Sequence, residues 1–310
     1  MKNLSRLLII GGSGLLGFKC IKEAAKDFEV FATYNAREME SEDCEFCRLD
    51  KTNRDAVFSL MERIKPDAVI DTAALHDVNY CETHRDEAHK VNVEGTRNVA
   101  EACRKIGAKM IFVSTDYVFD GKKGYYAEKD TPNPLSYYAV TKLEGEREVA
   151  AAGTDYAVAR TSVIYGWNPS ELKGLKSSSG KSMNFVIWVL KKLQNGEEIS
   201  IVTDQYSSPT LADNLAEALL ALAKTDKTGI YHTAGKGCIN RFDFTKKIAK
   251  IFELDDSLIK PVTSDRFKQV AERPMRCCLD VSKAERDLKI KFLTPEEGLK
   301  KMKKQRESGM

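Results

Sequence analysis

Residues 134–142 read PLSYYAVTK, with Tyr137 and Tyr138 side by side and Lys142 five and four positions later. On a helix, residues four apart share a face and residues five apart do not. Lys142 therefore pairs with Tyr138, and Tyr137 is left to packing or to a ligand contact. A free phenol titrates near ~10 and holds its proton too tightly for rapid exchange near neutrality. An ammonium one turn away stabilises the phenolate and lowers that value. This pairing suits proton delivery to an alkoxide that forms as hydride reaches a carbonyl carbon. The same ammonium can hold the ribose of a nicotinamide cofactor.

A Y-x3-K pair is common in helices, so its surroundings matter. Upstream, VSTDYVFDG ends an apolar run and leaves Thr115 at its carboxyl end. A hydroxyl there can donate to the same carbonyl oxygen. Asp116 beside it either binds substrate hydroxyls or stabilises the turn. Near the N-terminus, LLIIGGSGLLG sets Gly11, Gly14 and Gly17 three apart, after an apolar run and at the start of an amphipathic one. Glycines so placed allow a tight strand-to-helix turn, close approach to a pyrophosphate, and close helix–sheet packing. The helix start adds unpaired N–H groups and a positive dipole end.

After the second apolar run comes NAREME, with no acid before Glu38 to take a ribose 2′-hydroxyl. Arg37 suits a 2′-phosphate instead, so NADP(H) is favoured and NAD(H) is the alternative. Asp50, closing CRLD, is placed to meet an adenine amino group and also to cap the helix beginning TNRDAVF.

These residues need a scaffold. RLLIIG, EVFATY, CEFCRL, DAVIDTA, KMIFVST and YAVARTSVIYG read as buried strands, alternating with helical patterns such as LLGFKCIKEAAKD and KVNVEGTRNVAEACRKIG. That alternation predicts an α/β fold: a doubly wound parallel sheet with ligand at the strands' carboxyl ends. Beyond about residue 165 the regularity stops. GWNPSELKGLKSSSGKS reads as a long surface loop, and a smaller mixed α/β domain is expected to follow. The expected division is 1–165 for the dinucleotide and 166–310 mainly for substrate, with 211–225 packing back on the first unit.

The chain of 310 residues carries a net charge of +3, too little to argue for nucleic acid or membrane by bulk electrostatics. No apolar stretch spans a bilayer and no secretory leader opens the chain, so a cytoplasmic protein is expected. Eight cysteines show no framework spacing. Cys44 and Cys47 form a lone C-x2-C, Cys277 and Cys278 are adjacent, and histidines 76, 84, 89 and 232 offer no second zinc-ligand pair. Reduced, structural thiols are the expectation.

Taken in order, the glycine loop, STDYVFDG, P-x3-Y-x3-K, RTSVIYG, DQYSSPT and RPMRCCLD resemble extended short-chain dehydrogenases/reductases. Within them the chain looks like the dTDP-4-dehydrorhamnose reductase family over residues 6–295. The resemblance implies NADPH-dependent reduction of the 4-keto group of a dTDP-deoxysugar by Thr115, Tyr138 and Lys142. It implies Gly11, Ser13, Gly14, Leu15, Leu16 and Gly17 at the pyrophosphate, with Ala73 and Ala74 lining the cofactor. His76, Val78, Asp116 and Val163 fall at its substrate side. The chain departs from the family at His76, where a threonine is common, and at Val163, where a tryptophan often stands. His76 is a new polar contact, a second proton donor or a surface histidine. Some members use Mg2+ at a dimer contact; no ligands are assigned for it here, and a homodimer is compatible. The regulatory beta subunit of methionine adenosyltransferase shares the scaffold, so a cofactor-binding subunit without catalysis is the alternative function.

Overall fold

The computed structural model describes residues 5–36, 38–168 and 184–309. The first half alternates β1 (Arg6–Ile10), α1 (Leu15–Ala24), β2 (Glu29–Tyr34), β3 (Glu45–Arg48), α2 (Arg54–Ile64) and β4 (Ala68–Asp71). Then come α3 (Val78–Thr83), α4 (Arg85–His89), α5 (Gly95–Ile106), β5 (Lys109–Thr115), β6 (Gly124–Tyr126), α6 (Tyr137–Ala151) and β7 (Tyr156–Thr161). Further on lie β8 (Ile164–Tyr165), α7 (Phe185–Gln194), β9 (Ile199–Val202), β10 (Tyr206–Ser207), β11 (Thr210–Leu211), α8 (Ala212–Lys224) and β12 (Gly229–His232). The chain continues with β13 (Ile239–Asn240), α9 (Arg241–Phe252), β14 (Ile259–Val262), β15 (Arg276–Leu279), α10 (Ser282–Leu288) and α11 (Pro295–Glu307).

Seven strands form one parallel sheet in the order β12-β7-β5-β4-β1-β2-β3. Side chains alternate across its faces with the period of a strand. Leu7 and Ile9 of β1 join α1 and α8 in one core, whereas Leu8 and Ile10 join α2 and α5 in the other. Burial on both faces explains why these strands read as unbroken apolar runs. The strand order reverses between β1 and β4, which opens a crevice above their carboxyl ends.

The sheet's outer strand β12 lies far along the chain from its neighbour β7, and the apolar face of α8 packs with that of α1. A third core gathers Val186, Leu190, Ile201, Phe244, Ile248 and Leu299. A four-stranded sheet, β13-β10-β15-β6, packs Tyr126, Cys277 and Leu279 into the core shared by α1 and α8. Most of the expected long loop, 169–183, is outside the described residues. Among the described residues no helix is long and apolar enough to cross a membrane.

One expectation is corrected. The cysteines are not all reduced: Cys238 is bonded to Cys278 of β15, their Cα atoms 5.4 Å apart. The adjacent pair 277–278 concealed this, because neighbours on a strand face opposite ways and only one can reach across. Cys44 and Cys47 are free.

Candidate active site

The glycine loop is shaped by close contacts. Gly11 has φ +87°, a conformation open to glycine, and an added Cβ would sit 2.8 Å from Thr72 Oγ1. A Cβ on Gly17 would fall 2.3 Å from the Gly11 carbonyl oxygen, so α1 packs against the turn only because that atom is absent. Gly14 is the N-cap of α1 and supplies no side-chain cap, which leaves the helix's first N–H groups for a ligand. Ser13 and Leu15 are partly exposed beside it. The Leu16 side chain is spent in the core, so only its backbone can face a dinucleotide.

Across the crevice, the loop after β4 carries Ala73 and Ala74, both half-buried. A buried ion pair sets that loop. Lys51 Nζ donates to Asp71 Oδ2 at 2.8 Å and to the Ala73 carbonyl at 2.7 Å, while Asp71 Oδ1 accepts from Ala73 N. Asn92, fully buried, bonds both N and O of Leu75 and donates to Thr141 of α6. It ties the cofactor loop to the tyrosine-bearing helix. Sequence reasoning missed Lys51, Asp71 and Asn92. Asp71, closing the apolar run AVID, was a signal, because such a residue is rarely buried unless paired; Lys51, within LDKTNRD, carried none.

Tyr138 and Lys142 lie one turn apart on α6, whose N-terminus is capped by Ser136. The Thr115 hydroxyl is near enough to Tyr138 to act on its phenol, and the Tyr138 ring stands edge-on to Tyr117, centroids 6.4 Å apart. Tyr137 packs beneath the Arg85 guanidinium at 4.9 Å. Lys142 Nζ donates to the Val113 carbonyl at 2.8 Å and lies 3.9 Å from the Phe112 ring centroid.

The expected lowering of the phenol's pKa is absent. Burial pushes Tyr138 above the ordinary phenol range, and burial together with the Lys51 charge pushes Lys142 down to about 7. An ammonium that titrates near neutrality is a weaker stabiliser of phenolate than a fully charged one. Asp116 is nearly inaccessible. It accepts from Thr115 Oγ1 at 3.1 Å and from Ser162 Oγ at 2.6 Å. Burial raises its carboxyl to about 6, against the pull of both hydroxyls and of Arg241.

The remaining candidates divide. Asp50 does not cap α2; Asn53 does, and Asp50 makes a turn with Thr52 N and Oγ1. The cap falls to Asn53 because it directly precedes the first helical residue. Arg37 lies outside the described residues. His76 is exposed, its Nδ1 3.5 Å from the Ala74 carbonyl oxygen. Val78 opens α3, and its neighbour Asn79 accepts from Arg273 at 2.9 Å. Val163 has φ +40°, a strained position for a β-branched residue, with its carbonyl accepting from Thr210 N.

Arg241, within electrostatic reach of both Asp116 and Tyr117, lines a cleft of ≈ 330 Å³. Its lining includes Phe185, Trp188, Gln205, Arg241, Phe267 and Arg273. Guanidinium groups suit phosphates and aromatic rings suit a base. Among the described residues no cluster of three His, Cys, Asp or Glu side chains suits a metal ion.

A dTDP-4-dehydrorhamnose reductase of Aggregatibacter actinomycetemcomitans is 33% identical over 295 residues, covering 90% of this chain and 92% of its own. A dTDP-4-dehydrorhamnose reductase from Bacillus anthracis str. Ames, solved in complex with NADP, superposes with TM-score 0.85 at 30% identity, covering 97% of this chain and 99% of that one. The methionine adenosyltransferase 2 subunit beta of Bos taurus is 30% identical over 291 residues, covering 90% of this chain and 81% of its own. A family profile described as "RmlD substrate binding domain" matches residues 5–308, and the chain belongs to that family.

Proposed function

We propose that the chain is an NADPH-dependent reductase of a nucleotide-activated 4-keto-deoxysugar, with dTDP-4-dehydrorhamnose as the leading substrate. The observation that carries this reading is the grouping of Thr115, Asp116 and Tyr138, with Arg241 of the arginine-lined cleft within electrostatic reach of Asp116. The crevice fits a dinucleotide: glycines that exclude a Cβ face a helix start without a side-chain cap. NADPH, when bound, supplies the hydride. Residues 1–165 with 211–225 take the cofactor, and 166–310 mainly form the sugar-nucleotide side.

In this reading Tyr138 holds the proton that the nascent alkoxide receives, and Thr115 orients the tyrosine hydroxyl and the carbonyl oxygen. Lys142 holds the ribose. Arg241 and Arg273 take the diphosphate, and Phe185, Trp188 or Phe267 stack on the base. Val163 and His76 border the sugar.

Arg37 is assigned to the 2′-phosphate. Arg37→Ala is expected to weaken NADPH binding about tenfold or more and to leave NADH binding nearly unchanged. Titration of both dinucleotides checks this, and an equal loss for both removes the assignment. Absorbance assays of NADPH oxidation against a panel of nucleotide keto-sugars test the activity. Dinucleotide binding with no turnover of any of them, and co-purification with a methionine adenosyltransferase, would favour the regulatory-subunit reading.

A further inference from the structure

Thr115 has one hydroxyl proton, and the structure shows where it goes. Its oxygen accepts from Tyr117 N at 3.2 Å, and its O–H is directed to Asp116 Oδ1 at 3.1 Å. While Asp116 is a carboxylate, the Thr115 hydrogen is therefore committed to it and is not available to Tyr138. The other carboxylate oxygen accepts from Ser162, whose own oxygen accepts from Ser208 N at 3.4 Å. Asp116 is 2% exposed and Thr115 7% exposed, so water does not refill this row readily.

We propose that Asp116 is the proton reservoir of the site, resupplying Tyr138 through the Thr115 hydroxyl. The inference rests on the reductase reading. With hydride delivered to the carbonyl carbon, Tyr138 gives its proton to the alkoxide and becomes a phenolate. Thr115 passes its proton to the phenolate oxygen and takes the Asp116 proton in return. One O–H bond forms at the sugar and one breaks at Asp116, which ends as a carboxylate; no further electrons move. Asp116 regains its proton from solvent when product leaves. Ser162 holds the carboxylate in register but cannot feed it, because its own hydrogen is committed to Asp116.

Burial supports the role by keeping Asp116 protonated to a higher pH than an exposed carboxyl, near 6. The groups facing it are Tyr117 of its own turn, Tyr138 of α6, Cys277 of β15 and Arg241 of α9. Of these only Arg241 is charged at neutral pH, and it favours the carboxylate. An acid that must be protonated gives activity that falls as pH rises through its pKa.

The test compares wild type with Asp116→Asn, which keeps the shape and cannot donate an acidic proton. Steady-state kcat for the keto-sugar is expected to drop by about 10²-fold with kcat/KM changed far less, so that KM falls with kcat, and the fall in kcat above pH 6 is expected to disappear. The first turnover, which uses the proton already on Tyr138, should slow far less than later ones. Ser162→Ala removes a donor to the carboxylate, so the same fall should move to higher pH. Wild-type minus Asp116→Asn infrared titration should show a buried carboxylic acid that ionises near pH 6, without need of substrate. An unchanged pH profile in Asp116→Asn, or a loss confined to KM, overturns the relay and makes Asp116 a sugar contact. If the wild type turns over no nucleotide keto-sugar at all, the reductase reading falls and the relay with it.

Discussion

At Lys142 the spacing in sequence finds the turn of helix but not the electrostatics. Spacing identified its turn of helix, but spacing says nothing of depth, and depth decides charge. The Lys142 side chain is buried and titrates near 7, well below a free lysine. In the unfolded chain it stays protonated to ~10.4. Between these values the unfolded state binds more protons, so this group's cost to folding is full at or below pH 7 and fades as pH climbs. Lys142→Met should therefore raise the melting temperature relative to wild type most at pH 6, with the gain shrinking by pH 9. Melting curves at both values check this. A gain that grows with pH would contradict it. Asp116 was open between turn and ligand for the same reason: its two hydroxyl donors come from residues 1 and 46 positions away, and only the fold brings the second.

The elements were legible where one property set them. Buried parallel strands, the glycine turn and the helix of Tyr138 follow from apolar runs, a Cβ-free sequence and four-residue spacing. What escaped was the long-range clamping of loops. Lys51 follows β3, Asp71 ends β4, and nothing local links them, yet together they fix the backbone of Ala73. Lys51→Met would leave Asp71 buried and unpaired, which costs about 3–5 kcal/mol. A lower denaturation midpoint and weaker dinucleotide binding are expected. Unchanged binding with the midpoint lowered would make the pair purely structural. The cap of α2 escaped differently: Asp50 and Asn53 are both good caps, and only backbone position chose between them.

At the scale of the molecule, the doubly wound parallel sheet was readable from alternation, whereas the addition of β12 to its edge was not, because a four-residue strand after a helix carries too short a pattern. The disulfide joins segments 40 residues apart and ties β15 to the chain leading into α9, which bears Arg241. A cross-link of this span contributes about 3–4 kcal/mol in the chain-entropy view. Reducing agent should lower the melting temperature of the wild type and leave Cys238→Ser unaffected. Equal sensitivity of both would mean that the bond contributes nothing.

The central claim is that this cleft moves hydride and proton onto a sugar carbonyl through Tyr138. The most direct measurement follows deuterium from 4-deuterated NADPH into a dTDP-4-keto-6-deoxysugar by mass spectrometry, using wild type, Tyr138→Phe and Tyr137→Phe. The account predicts label in the product with wild type and with Tyr137→Phe. With Tyr138→Phe it predicts a rate lower by about 10²-fold or more, at nearly unchanged NADPH affinity. Full transfer by Tyr138→Phe, or its loss in Tyr137→Phe alone, would contradict it.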